Sequence, residues 1–241
     1  MKKLRFELHS HTAETSRCSL LCGRDLALSY HALGYDGLVV TDHFSAAFFN
    51  EQPDLSWPEQ VDRYLAGFDN ARAAGAPLGL TVLFGLEVRF ACSPVNDYLV
   101  YGPTREDLIA YPYAYDMGRR AFHQLCQAKG WLMLQAHPFR LPYRGQGAGC
   151  YVIDPADLDG IELYNAHPRH DSNNATALAF AQDHPEFVVT RGSDAHEPGE
   201  LGLTDMTFAA PLETAKDLVA QLRRNYVFRD VGATLTPVSS L

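Results

Sequence analysis

Residues 37–43 read Gly37-Leu38-Val39-Val40-Thr41-Asp42-His43, an apolar run of strand length that closes on a carboxylate and an imidazole. Unbroken Leu/Val character suits a strand covered on both faces, as in a parallel sheet flanked by helices. The same construction recurs along the chain. A run over 4–9 ends in His9-Ser10-His11 and one over 81–88 carries Glu87 near its end. A run over 131–136 leads into His137-Pro138, and one over 187–191 leads into Gly192-Ser193-Asp194-Ala195-His196. Further strand candidates lie at 98–102, 160–164 and 206–209.

Between these runs the periodicity changes to that of helices. Leu26, Tyr30 and Leu33 recur at i, i+4 and i+7 over 25–33, with Gly34 as a stop. A second helix is predicted over 58–74, opening on Pro58 and ending before Gly75, with others near 115–129, 173–183 and 212–224. Residues 140–158 read as a long loop of the kind that contacts substrate. Strands alternating with helices predict an α/β fold built around a mostly parallel sheet. No composition shift marks a boundary, so residues 1–241 are expected to form a single barrel domain.

The ligand-type residues keep to one end of the strands. In an α/β barrel the strand ends converge on one face, where such folds place their chemistry. His9 and His11, two apart on extended chain, face the same way. Asp194 and His196 repeat that spacing. A carboxylate such as Glu87 at the end of an apolar strand is costly unless paired or bound to metal. His9, His11, His43, Glu87, His137, Asp194 and His196 exceed what one tetrahedral ion needs and suit a site with two or three divalent ions, Zn²⁺, Mn²⁺ or Fe²⁺. Asp183-His184, followed by Pro185, reads as a helix end, His167 and His170 as loop histidines, and Glu162 as a partner of a ligand or of substrate.

Composition narrows the function classes. The net charge is −9 and only Lys2, Lys3, Lys129 and Lys216 are lysines, so no basic track for long nucleic acid exists. Cys18, Cys22, Cys92, Cys126 and Cys150 form no CxxC pair and read as reduced thiols of a cytoplasmic protein. No apolar run approaches a membrane span. A nucleophile elbow, a P-loop and a dinucleotide fingerprint are all missing.

The ordered set His-Ser-His-Thr, Gly-Tyr-Asp-Gly-Leu-Val-Val-Thr-Asp-His, Gly-Leu-Glu, Ala-His-Pro and Gly-Ser-Asp-Ala-His resembles the PHP (polymerase and histidinol phosphatase) family of metal-dependent phosphoesterases, over residues 4–196. The resemblance implies a distorted (β/α)₇ TIM-like barrel, up to three metals and hydrolysis of a small phosphate ester. Two positions depart from the family's commonest pattern. Arg17 stands where a third ligand of the first motif is usual, which makes Glu14 a candidate replacement. Asp97 stands where a histidine is usual before the Tyr101-Gly102 strand, and is a candidate ligand in its place. Asp194 and His196 are the catalytic candidates, to orient the attacking water or protonate the leaving oxygen. Arg17, Arg140 and Arg169 are candidates for the phosphate, through bidentate bonding. Amidohydrolase-type chemistry is the main rival, although binuclear members of that class use a bridging lysine and no lysine here follows a strand. A metal-binding scaffold without turnover is the other.

Overall fold

The computed structural model describes residues 3–92, 95–142, 144 and 147–231. Residues 143, 145 and 146 of the 140–158 loop, and 232–241 of the expected domain, lie outside them. The strands are β1 (Leu4–Ser10), β2 (Gly37–Val40), β3 (His43–Phe44), β4 (Thr81–Arg89), β5 (Asp97–Tyr101), β6 (Leu132–Gln135), β7 (Gly160–Asn165), β8 (Val188–Gly192) and β9 (Met206–Phe208). The helices are α1 (Gly23–Ala32), α2 (Ala46–Phe49), α3 (Trp57–Tyr64), α4 (Ala66–Gly75), α5 (Arg105–Ala110), α6 (Arg119–Lys129), α7 (Asn174–Asp183), α8 (Ala215–Asn225) and α9 (Phe228–Val231).

The strands form one sheet in the order β8-β7-β6-β5-β4-β2-β1-β9, with β3 pairing on β4. An isolated parallel bridge between Ser10 and Ala195 joins the end of β1 to the segment after β8 and brings the sheet to near closure. Two backbone bonds carry that seam, His11 N–H to Ala195 O at 3.1 Å and Ala195 N–H to His9 O at 3.4 Å.

Period-two patterning decides what faces inward. Phe6, Leu8, Val39, Leu83, Leu99, Tyr101, Leu132, Leu134 and Val188 pack together, and α8 closes over them with Leu218, Val219 and Leu222. The alternate residues Leu86, Val88, Val100, Met133, Ile161 and Leu163 pack outward with α6 and α7. Leu38, Val40 and Val82 meet α1 through Leu26 and Tyr30. Glu87 and Asp97 therefore continue the inward rows of β4 and β5 beyond Leu83 and Leu99.

The expected barrel is present, and its distortion has a definite form. β5 runs antiparallel to both β4 and β6, and β9 antiparallel to β1. Among the described residues no α-helix separates β4 from β5 or β6 from β7. The helix predicted over 58–74 is two helices meeting at Leu65, of which α3 opens with a Ser56/Glu59 capping box. The short α5 escapes periodicity at six residues, although Thr104 and Asp107 form its capping box. α1 and α4 approach so closely that a Cβ on Gly23 would lie 2.0 Å from the Gly67 carbonyl oxygen.

Candidate metal centre

The ends of β1, β4, β6 and β8 and the start of β5 meet in one buried cluster. Being antiparallel, β5 presents its first residue, Asp97, to the face where the other strands end. His9, His11, Glu87, Asp97, His137 and Asp194 are each at most 2% exposed. His9 Nε2 lies 3.4 Å from both Glu87 Oε1 and Asp194 Oδ1. His11 Nε2 lies 3.4 Å from Glu87 Oε2 and 3.2 Å from Asp194 Oδ1. Glu87 is also 3.2 Å from His137 Nε2 and 2.7 Å from His43 Nδ1.

The ring protons are fixed from behind. Glu162 Oε1 accepts from His9 Nδ1 at 2.9 Å, which leaves Nε2 as the bare nitrogen facing the carboxylates. Ser16 Oγ spends its own proton on Asp42 at 2.7 Å, so at 3.3 Å it accepts from His11 Nδ1 and leaves that Nε2 bare as well. Neither Nε2 has a hydrogen-bond partner. Lone pairs of two imidazoles thus face lone pairs of two carboxylates at 3.2–3.4 Å, an arrangement that calls for a cation between them. Among the described residues, four groups have donor atoms within 4.8 Å of one another: His9/His11/Glu87/Asp194, Glu87/Asp97/His137, His11/His43/His196 and His167/His196/Glu200. Nitrogen and carboxylate donors in these sets fit divalent Zn²⁺, Mn²⁺ or Fe²⁺.

Protons stand in when no cation is present. Burial opposes charge on His9, but Asp194, Glu162 and Glu87 outweigh it and hold its pKa well above the usual value. His11 moves the other way, well below, through burial and the nearby His196 and His43. Asp194 is held well below the ordinary carboxylate range, burial notwithstanding, by His9 and His11. Two of the cluster residues also sit on left-handed backbone, His137 at φ 29° and Asp194 at φ 52°. Such conformations cost roughly 1–3 kcal/mol each and gather at functional sites.

A second layer locks the cluster. Glu162 also accepts from His137 N–H and Asn165 Nδ2, each at 2.9 Å, which agrees with its expected part behind the ligands. Gly192 makes room for the pair, since a Cβ there would meet His9 Cβ at 2.4 Å and Glu162 Oε1 at 2.6 Å. Glu7, which the sequence reading passed over, accepts from His9 N–H at 2.9 Å, Tyr30 Oη at 3.0 Å and Ser193 Oγ at 2.6 Å. Burial pushes its pKa up to about 7 against those bonds. Asp42 is a scaffold as well: it accepts from Thr12 N–H, Thr12 Oγ1 and Ser16 and so ties down the turn after His11.

Several sequence expectations need correcting. Glu14 is not in the cluster. Its carboxylate accepts from Gly23 N–H at 2.9 Å and Asn70 Nδ2 at 2.9 Å, because the first amide of α1 needs an acceptor and Cys22 at the N-cap supplies none. Arg17 turns outward to Glu51 with 79% of its side chain exposed. Asp97 does reach His137, at 3.9 Å, but it is also clamped by Arg89 through bonds of 2.6 and 2.7 Å, an arginine the sequence reading missed. His167 and His170 are more than loop residues. With Arg89, Arg140, Arg169 and His196 they line a cavity of about 230 Å³ over the cluster. Arg140 lies 3.6 Å from both Asp97 and Asp194, whereas Arg169 is held by Glu197 at 2.7 Å and Glu200 at 2.8 Å. A neighbouring cavity of about 290 Å³, lined by Arg17, Phe48 and Glu51, shares Cys18, His43 and Arg89 with the first.

A family profile described as PHP-associated matches residues 171–227, from just before α7 to the end of α8. Three solved structures share the architecture. One is a two-domain protein from Bacteroides vulgatus containing an inferred PHP-like metal-dependent phosphoesterase, at TM-score 0.62 and 15% identity over 92% of this chain. This chain shares that barrel fold. The chain spans 64% of that Bacteroides protein. An inferred metal-dependent phosphoesterase from Bifidobacterium adolescentis superposes at TM-score 0.54 and 18% identity, covering 85% of this chain and 92% of its own. PsfC from Pseudomonas syringae does so at 0.59 and 17%, covering 92% and 90%. No curated protein sequence matches the chain. All five of its cysteines are free, and among the described residues no helix is long and apolar enough to cross a membrane.

Proposed function

We propose that this protein is a metal-dependent phosphoesterase acting on a small phosphate ester. The observation that carries the reading is the pair of bare imidazole nitrogens, His9 and His11 Nε2, set against Glu87 and Asp194 at 3.2–3.4 Å with their tautomers fixed by Glu162 and Ser16. His9, His11, Glu87 and Asp194 would hold one ion and Glu87, Asp97 and His137 a second, with Glu87 common to both. His43 and His196 are free to serve a third. Two or three divalent ions there would supply Lewis acidity toward phosphate oxygens and bring the pKa of a water toward about 7.

The chain's own side chains do the rest. Arg140 reaches over the cluster from the 140–158 loop, with its guanidinium 3.6 Å from Asp97 and Asp194, where it can take an incoming phosphate oxygen. Arg89 and Arg169 stand around the rim with His167 and His170. His167 is kept uncharged, with a pKa lowered to about 4 by burial, and since its Nδ1 accepts from Arg169 N–H at 3.3 Å its Nε2–H is left to donate to a bound oxygen at the mouth. His196 donates Nδ1–H to the Asp194 carbonyl at 2.7 Å and keeps Nε2 for the cavity. A cavity of about 230 Å³ admits a phosphoryl group and a small leaving group. The likeness to proteins described as phosphoesterases agrees with this reading.

The test is a panel of phosphomonoesters and phosphodiesters, run beside amide substrates, on protein purified without chelator and after chelator treatment. Asp194→Asn should reduce phosphate release to background while the fold survives by circular dichroism. Full phosphate release by the chelated protein or by Asp194→Asn would refute the proposal, and amide turnover alone would replace it.

A further inference from the structure

Arg17 points away from the site to Glu51, but the next residue does not. Cys18 Sγ lies 3.3 Å from His43 Nε2, interacts with the His196 side chain, and lines both cavities at their junction. The geometry points to Cys18 as a metal ligand, a thiolate that with His43 and His196 forms a Cys-His-His site at the rim of the cluster, set apart from the ions held by His9, Glu87 and Asp194.

Two ring nitrogens face this position with lone pairs to give. His43 Nδ1 faces Glu87 Oε2 at 2.7 Å, so it carries the proton and the bare Nε2 faces Cys18. His196 Nδ1 donates to the Asp194 carbonyl at 2.7 Å, so its Nε2 is bare too. A carboxylate or carbonyl behind a metal-bound imidazole is the usual device for fixing its tautomer. For tetrahedral zinc with Zn–S about 2.3 Å and Zn–N about 2.05 Å, sulfur and nitrogen ligands sit about 3.6 Å apart; the observed separation is 3.3 Å. The cysteine does not stand alone. His11, His43 and His196 have donor atoms within 4.8 Å of one another, and His11 Nε2 is buried with no hydrogen-bond partner. The two imidazoles of His43 and His196 bring no charge, and a thiolate would supply one. A soft sulfur donor would also bias this position toward Zn²⁺ over Mn²⁺ or Mg²⁺, which prefer oxygen. Coordination at Cys18 transfers the thiol proton to solvent and leaves the redox state unchanged.

This inference depends on the proposed metal centre, and the experiment separates the two. Full-length protein is stripped, loaded with Co²⁺ and read by absorption. The wild type should show a near-ultraviolet sulfur-to-cobalt charge-transfer band beside the visible ligand-field bands. Cys18→Ser should lose the charge-transfer band while keeping ligand-field absorption from the His9/Asp194 cluster, and should bind one equivalent of Zn²⁺ fewer. Cys18→His should regain that equivalent without the band. Cys150→Ser controls for the other thiol near the site, whose Sγ is 3.8 Å from His137 Nδ1, and should leave the band unchanged. A band that survives in Cys18→Ser, or is missing from the wild type while cobalt binds, overturns the role of Cys18 alone. No cobalt bound by the wild type overturns the metal centre and the Cys18 site with it.

Discussion

Glutamine at position 162 is a sharp test of how the centre is built, because it changes a proton's position rather than a shape. Glu162 Oε1 accepts from His9 Nδ1, and Oε2 accepts from His137 N–H and Asn165 Nδ2, all at 2.9 Å. In Glu162→Gln the single amide oxygen best serves the two donors on the Oε2 side. The amide NH₂ then opposes His9 Nδ1–H, and the imidazole must move its proton to Nε2. That nitrogen would point a hydrogen at Glu87 and Asp194 and offer no lone pair. One charge-assisted bond is lost, worth about 1.5–3 kcal/mol, and metal affinity should fall roughly 10–100-fold, as for other groups that orient a metal-binding imidazole. Global stability of the metal-free protein should change much less, because a buried neutral amide replaces a buried charge. Glu162→Ala should behave differently. It leaves three buried donors without acceptors at roughly 1–3 kcal/mol each, and the fold itself should weaken. Chelator competition with Zn²⁺ gives the affinities and urea unfolding of the stripped protein gives the stabilities. Wild-type metal affinity in Glu162→Gln would refute the tautomer argument.

Two further outcomes follow from the same geometry. Glu14→Ala should cost about 1 kcal/mol of stability, the scale of a lost helix N-terminal acceptor, with unchanged metal content; a lost equivalent of metal would return Glu14 to the centre. Metal binding should expel protons, since His9 and His43 are held well above their ordinary pKa and His137 is raised to about 9 despite burial and the nearby Arg140. Protonated imidazoles cannot ligate, so apparent affinity should climb with pH toward about 9. Calorimetry in buffers of different ionisation enthalpy measures the release, and buffer-independent heats would contradict it.

The cluster was readable in sequence because its chemistry interrupts apolar runs. Glu87 and Asp194 are conspicuous where Val and Leu are otherwise required, and His9 with His11 uses the strand's own two-residue repeat. Strand direction leaves no such trace in periodicity, so β5 looked like its neighbours. Yet Asp97 precedes its strand while the other cluster residues end or follow theirs, and that asymmetry held the clue to the antiparallel turn. Glu14 misled because spacing along a motif says nothing about the free amide of Gly23, which claims its carboxylate. Arg89 was missed because an arginine at a strand end is commonplace until the partner across the sheet, Asp97, is known. His167 lies next to proline in a turn, and only the tertiary fold brings it against His196, with ring centroids 5.7 Å apart.

The seam between Ser10 and Ala195 gives the barrel a clasp rather than a weld. Elsewhere the circumference is held by ladders of paired strands, but here a single bridge spans the gap, placed between His9 and His11 on one side and Asp194 and His196 on the other. Cations gripped by both sides would therefore act as rivets across this unladdered joint. Loading the centre and tightening the hoop become the same event, and the amide hydrogens of His11 and Ala195 would exchange with solvent more slowly once the ions are in place.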